Sequence, residues 1–146
     1  MSHELDNVIA IVGMSGIFPG SRNIEEFWQN LRDGVCALEK LSDERVQAAI
    51  EQLDFTAIPF AREEVRDPNY VKCTYTIAEP DLFDADFFGY TPNEAELIDP
   101  QQRKFLECCW SAIEHAGYDI SRYDGRVGVF GGQSLSRYLM NNVWSN

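Results

Sequence analysis

The sequence has few basic residues, and it contains no long apolar run. Twelve Lys and Arg residues stand against 24 Asp and Glu residues, which gives a formal net charge of −12. A field of this sign repels phosphate backbones and anionic membrane surfaces. The longest apolar run, Val8–Val12, is far shorter than a membrane span, and the first seven residues, MSHELDN, lack the basic start and apolar core of a secretory signal. We therefore predict a cytoplasmic protein with no nucleic-acid or membrane partner.

Histidine and cysteine are also scarce, and their spacing matches no known ligand pattern. The 146 residues include two His and four Cys. They contain no Cys-x-x-Cys motif, and no Cys and His residues have the sequence spacing of a zinc site. A chain of this length supplies enough core to fold without a disulfide framework. We therefore expect reduced thiols and no metal site. The residues concerned are His3, His115, Cys36, Cys73, Cys108 and Cys109.

The composition that remains is that of one globular α/β domain. Hydrophobic residues make up 45% of the chain and charged residues 25%, as in an ordinary globular protein. Two continuous apolar runs closed by glycine, at 7–13 and 126–132, predict strands covered on both faces of a sheet. Residues 70–77 alternate in polarity, which predicts a half-exposed strand with Cys73 pointing inward.

Helix signals lie between these strands. Asn23 and Glu26 are spaced as a capping box, and the helix that they open should end at Gly34 and pack by its aromatic face. Ser42 opens a second helical pattern that runs to Leu53. We expect a surface loop at 55–70. A final helix is suggested by Leu135, Leu139, Val143 and Trp144.

The stretch LIDPQQRKFLECCW, residues 97–110, contains residue types that are common in active sites, but it is better explained as a structural helix. Thr91 and Asp99 each precede a proline, and each is followed three residues later by Glu or Gln, so both predict helix starts. The second helix should run from Pro100 to about Ala116, with Gly117 as its left-handed stop. Its apolar stripe is so wide that we expect it to be covered on much of its circumference.

The reactive-looking side chains of this stretch have structural explanations. Cys108 and Cys109 lie past the midpoint of the helix, where the dipole and apolar surroundings disfavour a thiolate. Arg103 needs a compensating anion, either Glu107 one turn later or a carboxylate elsewhere. Glu94, Glu96 and Asp99 resemble an acid–base cluster, but acidic residues are favoured at helix N-termini in any case. We therefore assign no catalytic residue from the sequence.

Two further motifs suggest nucleotide chemistry only superficially. GMSGIFPG, at 13–20, follows a predicted strand but fits neither the dinucleotide-binding nor the P-loop pattern. DADFFG, at 84–89, has one phenylalanine too many for the kinase Asp-Phe-Gly motif, and no His-Arg-Asp loop accompanies it. We interpret the first as a tight strand exit and the phenylalanines of the second as core anchors.

Four long segments together resemble the first third of a β-ketoacyl synthase domain of a modular polyketide synthase. The similarity is typical of modular and hybrid polyketide/non-ribosomal peptide assembly lines. The most specific part is Phe87-Phe88-Gly89, followed by Glu94-Ala95-Glu96 and by Asp99-Pro100-Gln101-Gln102-Arg103. The segments are IAIVGMSGIFPGSRNIEEFWQNLRDG (9–34), DPNYVK (67–72), DLFDADFFGYTPNEAELIDPQQRKFLE (81–107) and AGYDISRYDGRVGVFGG (116–132).

The resemblance implies a fold, a reaction and partners. The fold is thiolase-like, with αβαβα layers, and such domains usually dimerise. The reaction is decarboxylative Claisen condensation: a cysteine takes an acyl chain from the phosphopantetheine thioester of an acyl carrier protein, and two histidines help to decarboxylate a malonyl-type extender. The phosphopantetheine arm is a substrate carrier, and no directly bound cofactor is implied.

The resemblance does not extend to the catalytic motifs of the family. The family's cysteine elbow and its two histidine motifs are absent, so no catalytic, cofactor-binding or metal residue carries over. KCTYTIAEP, at 72–80, also departs from a Gly-Gly pair that is usual in the family. We therefore predict that residues 1–146 are an N-terminal fragment of a single ketosynthase domain, inactive alone, whose partners are a carrier protein, a second ketosynthase and the rest of the domain.

Two other functions stay open from the sequence. One is a non-catalytic ketosynthase-like module that contributes a dimer surface or docks a carrier protein. The other is a small nucleotide-binding α/β protein, which a nucleotide should stabilise thermally. A fragment of a layered sheet should also leave apolar faces and strand edges unprotected, so we expect association or poor solubility.

Overall fold

The computed structural model describes residues 8–52 and 67–134, together with residues 136, 138, 139 and 143. This part of the chain contains four helices and a two-stranded ribbon. Their bounds are α1 Ile24–Asp33, β1 Glu39–Lys40, α2 Asp43–Gln52, β2 Cys73–Thr74, α3 Pro92–Leu97 and α4 Pro100–His115. No helix in these ranges is long and apolar enough to cross a bilayer.

Helix α1 has the predicted ends. Asn23 Oδ1 accepts a hydrogen bond from the Glu26 amide at 2.8 Å, and Gly34 ends the helix in the left-handed region at φ 66°. The second hydrogen bond of the predicted capping box has another donor. Glu26 Oε2 accepts from the amide of Arg22 at 2.7 Å, where a capping box would use the amide of Asn23. The carboxylate thus satisfies a backbone donor one residue before the cap.

The aromatic face of α1 is covered only in part. Phe27 stacks on Phe18, with ring centroids 4.0 Å apart. Trp28 is 60% exposed and Leu31 is exposed as well, so the prediction that the aromatic face as a whole is packed was wrong. Adjacent helical residues diverge by about 100° around the axis, so the ring of Phe18 cannot cover both aromatics.

Helix α2 packs beside the ribbon. Ser42 Oγ accepts from the Arg45 amide at 3.3 Å, which confirms the predicted start, and Val46 is the one buried apolar side chain in the described ranges. Leu53 and residues 55–66 of the expected loop lie outside those ranges. The turn that follows is closed by the Tyr70 amide, which donates to Asp67 O at 2.9 Å.

The predicted strand at 70–77 is reduced to two residues. Strand β2 pairs antiparallel with β1 in the register Glu39↔Thr74 and Lys40↔Cys73. One further backbone bond, from the Leu41 amide to Lys72 O at 2.9 Å, follows the paired residues. The ladder ends there because Ser42 opens α2. Cys73 is half-buried.

The two strands expected at 7–13 and 126–132 are not formed. Ile9 is 92% exposed and Phe130 is 96% exposed, and neither segment pairs with another strand in the part of the chain described. Asn7 lies outside it. A continuous apolar run becomes a buried strand only when strands flank it and layers cover both faces. The expectation of buried strands was therefore wrong for this chain by itself.

Helices α3 and α4 begin as predicted. Thr91 and Glu94 form a complete capping box, since Thr91 Oγ1 accepts from the Glu94 amide at 3.3 Å and Glu94 Oε2 accepts from the Thr91 amide at 2.8 Å. Asp99 Oδ1 accepts from the Gln101 amide at 2.7 Å and caps α4. Gly117 follows the end of α4 with φ 76°, as the stop signal predicts. The expected C-terminal helix lies largely outside the described residues, including Leu135 and Trp144.

Coverage of α4 falls short of the prediction. Phe105 and Trp110 remain exposed at the margins of its apolar stripe, and Arg103 is its one buried residue. Gly13 approaches the helix closely. A Cβ atom at Gly13 would lie 2.3 Å from Ala112 O and 2.8 Å from Ala116 Cβ.

We predict that Gly13→Ala destabilises the chain by about 1–3 kcal/mol, because the added methyl group forces the 8–14 segment away from α4. Urea unfolding followed by helical circular dichroism measures the change. The matched control is Gly132→Ala, since nothing lies within 4 Å of a Cβ built there. Equal effects of the two substitutions would show that the contact between Gly13 and α4 is unimportant.

Candidate functional site

The most buried charged side chain of α4 in the described ranges is Arg103, in the first turns of the helix. It is 8% exposed. Its Nε donates to Ile98 O at 3.0 Å, and its Nη1 donates to Asp81 O at 3.2 Å. Helical side chains point toward the N-terminus of their helix, and this direction carries the guanidinium back to both carbonyls.

The predicted pair of Arg103 and Glu107 is not formed. Lys104 takes that role, with its Nζ 2.9 Å from Glu107 Oε2, and it also donates to Leu82 O at 2.8 Å. Arg103 thus donates to the backbone carbonyls of residues 81 and 98, whereas Lys104 has both the carbonyl of residue 82 and the carboxylate of Glu107 as partners. The loop before α3 is held against α4 from two adjacent positions.

Asp99 is the second member of this group and is 6% exposed. Besides capping α4, its carboxylate accepts a hydrogen bond from Ser136 Oγ. Burial raises the pKa of Asp99, but the hydrogen bonds from Ser136 and Gln101 and the nearby charge of Arg103 outweigh it, so the pKa lies below its ordinary value. The carboxylate is therefore held in its charged form.

The segment that follows residue 133 completes the group. Tyr138 donates its hydroxyl to Glu96 O at 2.5 Å, and its ring lies 5.6 Å from Cζ of Arg103, within range of a cation–π contact. We call Asp99, Arg103, Ser136 and Tyr138 the polar clasp. It joins the carbonyl of Asp81, the start of α4 and residues 136 and 138.

An aromatic cluster extends from the same loop. Phe83 stacks on Phe88 with centroids 5.2 Å apart, and Phe87 meets Trp110 of α4 edge to face at 4.8 Å. The prediction that Phe87 and Phe88 are core anchors was wrong for Phe87, which makes this aromatic contact at the surface and is 53% exposed. Phe88 is half-buried.

A cavity of about 440 Å³ lies beside the clasp, between α4 and the 131–133 segment. Its wall is mostly apolar, and glutamines, Lys104 and Cys108 also contribute to it. The lining includes Ile17, Ile77, Gln101, Phe105, Cys108 and Gln133. This lining lacks a histidine or carboxylate that could act as a base for Cys108.

Cys109 and His115, both on α4, have surroundings that fit structural roles. Burial raises the pKa of Cys109, and the neighbouring Cys108 raises it further, which agrees with the expectation of an unreactive thiol. His115 accepts a hydrogen bond from the Met14 amide at 3.2 Å through Nδ1, while His3 lies outside the described ranges. Within those ranges no three His, Cys, Asp or Glu side chains are grouped to hold a metal ion.

Sequence comparison places this arrangement among known proteins. A family model described as the β-ketoacyl synthase N-terminal domain matches residues 6–145. A phenolphthiocerol/phthiocerol polyketide synthase of Mycobacterium tuberculosis is 40% identical over 141 residues, which are 97% of this chain and 9% of that protein. Polyketide synthase PksL of Bacillus subtilis is 37% identical over 140 residues, 90% of this chain and 3% of that protein. The chain thus spans less than a tenth of the length of these relatives.

Solved structures give the same result. Ketosynthase twelve of the bacillaene polyketide synthase of Bacillus amyloliquefaciens is similar with a TM-score of 0.56 and 39% identity, over 72% of this chain and 17% of that one. The ketosynthase from module 6 of the bacillaene synthase of Bacillus subtilis is similar with a TM-score of 0.56 and 37% identity, over 75% and 17%. The similarity therefore extends to structure as well as sequence.

We predict that Arg103→Met destabilises the chain by about 2 kcal/mol, because two part-buried hydrogen bonds from the guanidinium to the carbonyls of Asp81 and Ile98 are lost. Arg103→Lys should recover less than half of this loss, since an ammonium cannot reproduce the planar fork. Urea unfolding measures both. Arg122→Met serves as the control, because Arg122 is exposed and pairs only with Asp119 at 3.3 Å. Equal losses at the two arginines would contradict a special role for Arg103.

The lowered pKa of Asp99 predicts an acid-sensitive stability. Its contribution is present above the unfolded pKa of about 3.9 and is lost as the pH falls through the lower folded value. Asp99→Asn keeps a capping side chain but should be less stable than wild type near pH 6, and the difference should vanish in acid. Asp124→Asn, at an exposed position, is the control. A difference that stays constant with pH would show that the charge of Asp99 is irrelevant.

Proposed function

Because the chain belongs to the β-ketoacyl synthase family, we propose that it is the N-terminal part of a polyketide synthase ketosynthase that catalyses decarboxylative condensation of acyl and malonyl-type thioesters. Its fold class is the α/β class of the solved ketosynthases, the N-terminal part of a thiolase-like αβαβα fold that is incomplete in this chain. Residues 1–146 then form one portion of a single ketosynthase domain.

The proposal rests on the contrast between the family match and the surroundings of the described thiols. The family match extends over residues 6–145, whereas the described thiols and histidines include no nucleophile paired with a base. A scaffold role fits both facts, because a ketosynthase nucleophile needs a lowered pKa and an oxyanion site. The pKa of Cys109 is shifted in the opposite direction.

In this scheme the reacting groups come from other parts of the domain. An acyl chain passes from the phosphopantetheine arm of an acyl carrier protein to a cysteine thiolate, with release of the carrier thiol. Decarboxylation of the extender then gives a carbanion equivalent that attacks the acyl-enzyme and displaces the cysteine. In this proposal the polar clasp supports α4 and its adjoining segments and takes no part in bond making.

The charge of the chain bears on its partners. Carrier proteins are usually acidic, so a surface with a net charge of −12 does not attract them by long-range electrostatics. We infer that a carrier protein docks on a local basic patch or on residues outside this chain. The remaining partners in the proposal are a second ketosynthase and the rest of the domain.

A chimera tests the function. The corresponding N-terminal region of bacillaene ketosynthase twelve is replaced by this chain, and the β-ketoacyl product on a carrier protein is measured by mass spectrometry. We expect product from the chimera and none from the chain alone. The controls are the parent enzyme and a chimera in which the nucleophilic cysteine of the parent is changed to alanine.

Two results would overturn the proposal. Stable acylation of any cysteine of the chain alone by an acyl thioester would contradict the scaffold role. A chimera that folds and dimerises but forms no product, while the parent is active, would favour the non-catalytic interaction module instead.

A further inference from the structure

The side chain of Gln101 links the start of α4 to the segment that follows Gly131. Its Oε1 accepts a hydrogen bond from Ser134 Oγ at 3.1 Å, and its Nε2 donates to Asp99 Oδ2 at 3.4 Å. The backbone amide of Gln101 donates to the other carboxylate oxygen of Asp99 at 2.7 Å. Both oxygens of Asp99 therefore hold residue 101, and this leaves the amide oxygen of Gln101 as the acceptor for Ser134.

We call residues 131–134 the wall segment. Its first three residues line the cavity beside α4, and Gln101 lines it as well. At one end of the segment the backbone rests on the helix, since a Cβ atom at Gly131 would lie 3.2 Å from Phe105 Cζ. At the other end the bond from Ser134 to Gln101 ties it to the first turn of α4. The width of the cavity therefore depends on both contacts.

The chemistry of the cavity suits an uncharged apolar chain. Its volume is about 440 Å³, within the range of cavities that bind small organic ligands. The one charged residue of the described lining, Lys104, is already bonded to Glu107 and to Leu82 O, at 2.9 and 2.8 Å. Of the groups that take part in the proposed reaction, the acyl chain of the thioester matches this lining.

We propose that Gln101 is a positioning residue that sets, through the wall segment, which acyl chains a ketosynthase with this N-terminal part accepts. This inference rests on the proposed function. Gln101 acts on the shape of the cavity and does not contact the reacting atoms. Loss of its amide group releases Ser134 and lets the wall segment move away from α4. The cavity then widens, and longer acyl chains enter it more readily.

The acyl selectivity of the chimera tests the proposal. The probes are the N-acetylcysteamine thioesters of butyric and decanoic acid, and kcat/KM is measured for each with the same malonyl carrier protein. We expect Gln101→Met to raise the decanoyl-to-butyryl ratio by about 3- to 10-fold, the factor that one net hydrogen bond allows. The change should come from a lower KM for the decanoyl probe, with kcat unchanged. Ser134→Ala should have the same effect, and the double variant should add nothing to it.

The matched control is Gln29→Met, which removes the same amide group from a distant helix. Gln29 Nε2 donates to Asp33 Oδ2 at 2.8 Å on the exposed side of α1. This substitution should leave the selectivity ratio of the chimera unchanged.

Alkylation of Cys108 reports on the wall segment in the chain by itself and needs no chimera. Cys108 lines the same cavity, whereas Cys36 is exposed and serves as the internal reference. Labelling by iodoacetamide is followed at each thiol by peptide mass spectrometry. The rate at Cys108 relative to Cys36 should rise by about 3-fold in Gln101→Met, and it should stay unchanged in Gln29→Met.

Three results would overturn the inference. The first is an unchanged selectivity ratio in an active Gln101→Met chimera. The second is an equal loss of kcat with both probes, which is the result of a merely structural role. The third is an unchanged labelling rate at Cys108 in the Gln101→Met chain. A wild-type chimera that forms no product would reject the proposed function, and the labelling result alone would then decide whether Gln101 holds the wall segment.

Discussion

A buried guanidinium must be surrounded by acceptors, and this requirement at Arg103 organises the described part of the chain. The charge is too costly to bury without hydrogen bonds. Its acceptors are the carbonyls of Asp81 and Ile98, at 3.2 and 3.0 Å. These bonds fix the loop before α3 and the junction between α3 and α4 relative to one helix. The aromatic contact of Phe87 with Trp110 then follows from the position of that loop.

The distribution of burial is unusual for a chain with 45% hydrophobic residues. Asp99 and Arg103 are more deeply buried than any apolar side chain described, and Val46 alone among the apolar residues is buried. Hydrophobic burial normally dominates folding. Here the apolar segments that should supply it are left open on α4. This is the pattern expected of part of a layered fold whose other layers lie elsewhere.

Features that depend on neighbouring residues could be predicted from the sequence. The caps at Asn23, Thr91 and Asp99 and the stop at Gly117 are confirmed, because a cap is decided within four residues. The raised pKa of Cys109 also agrees with the predicted apolar surroundings, since burial is its main cause and the neighbouring Cys108 adds to it. The partners of Arg103 could not be predicted, since backbone carbonyls at residues 81 and 98 leave no signal in residue type. The strands at 7–13 and 126–132 were mispredicted because apolar runs indicate strand propensity, whereas strand formation depends on partners distant in sequence.

The family assignment and the physical description therefore support each other. Asp99 and Arg103, which lie in the motif that resembles ketosynthases, are two of the four residues of the polar clasp, and in the proposed function they support a helix and take no part in bond making. Native-state hydrogen exchange of the chain is the most direct measurement of this claim. We expect the amides with the slowest exchange to lie in α4, between Arg103 and Cys109. In the Arg103→Met variant, these amides should exchange no more slowly than those of α1 and α2. Slowest exchange in α1 or α2 of the wild-type chain, or no change at α4 in the variant, would contradict the organising role of the clasp.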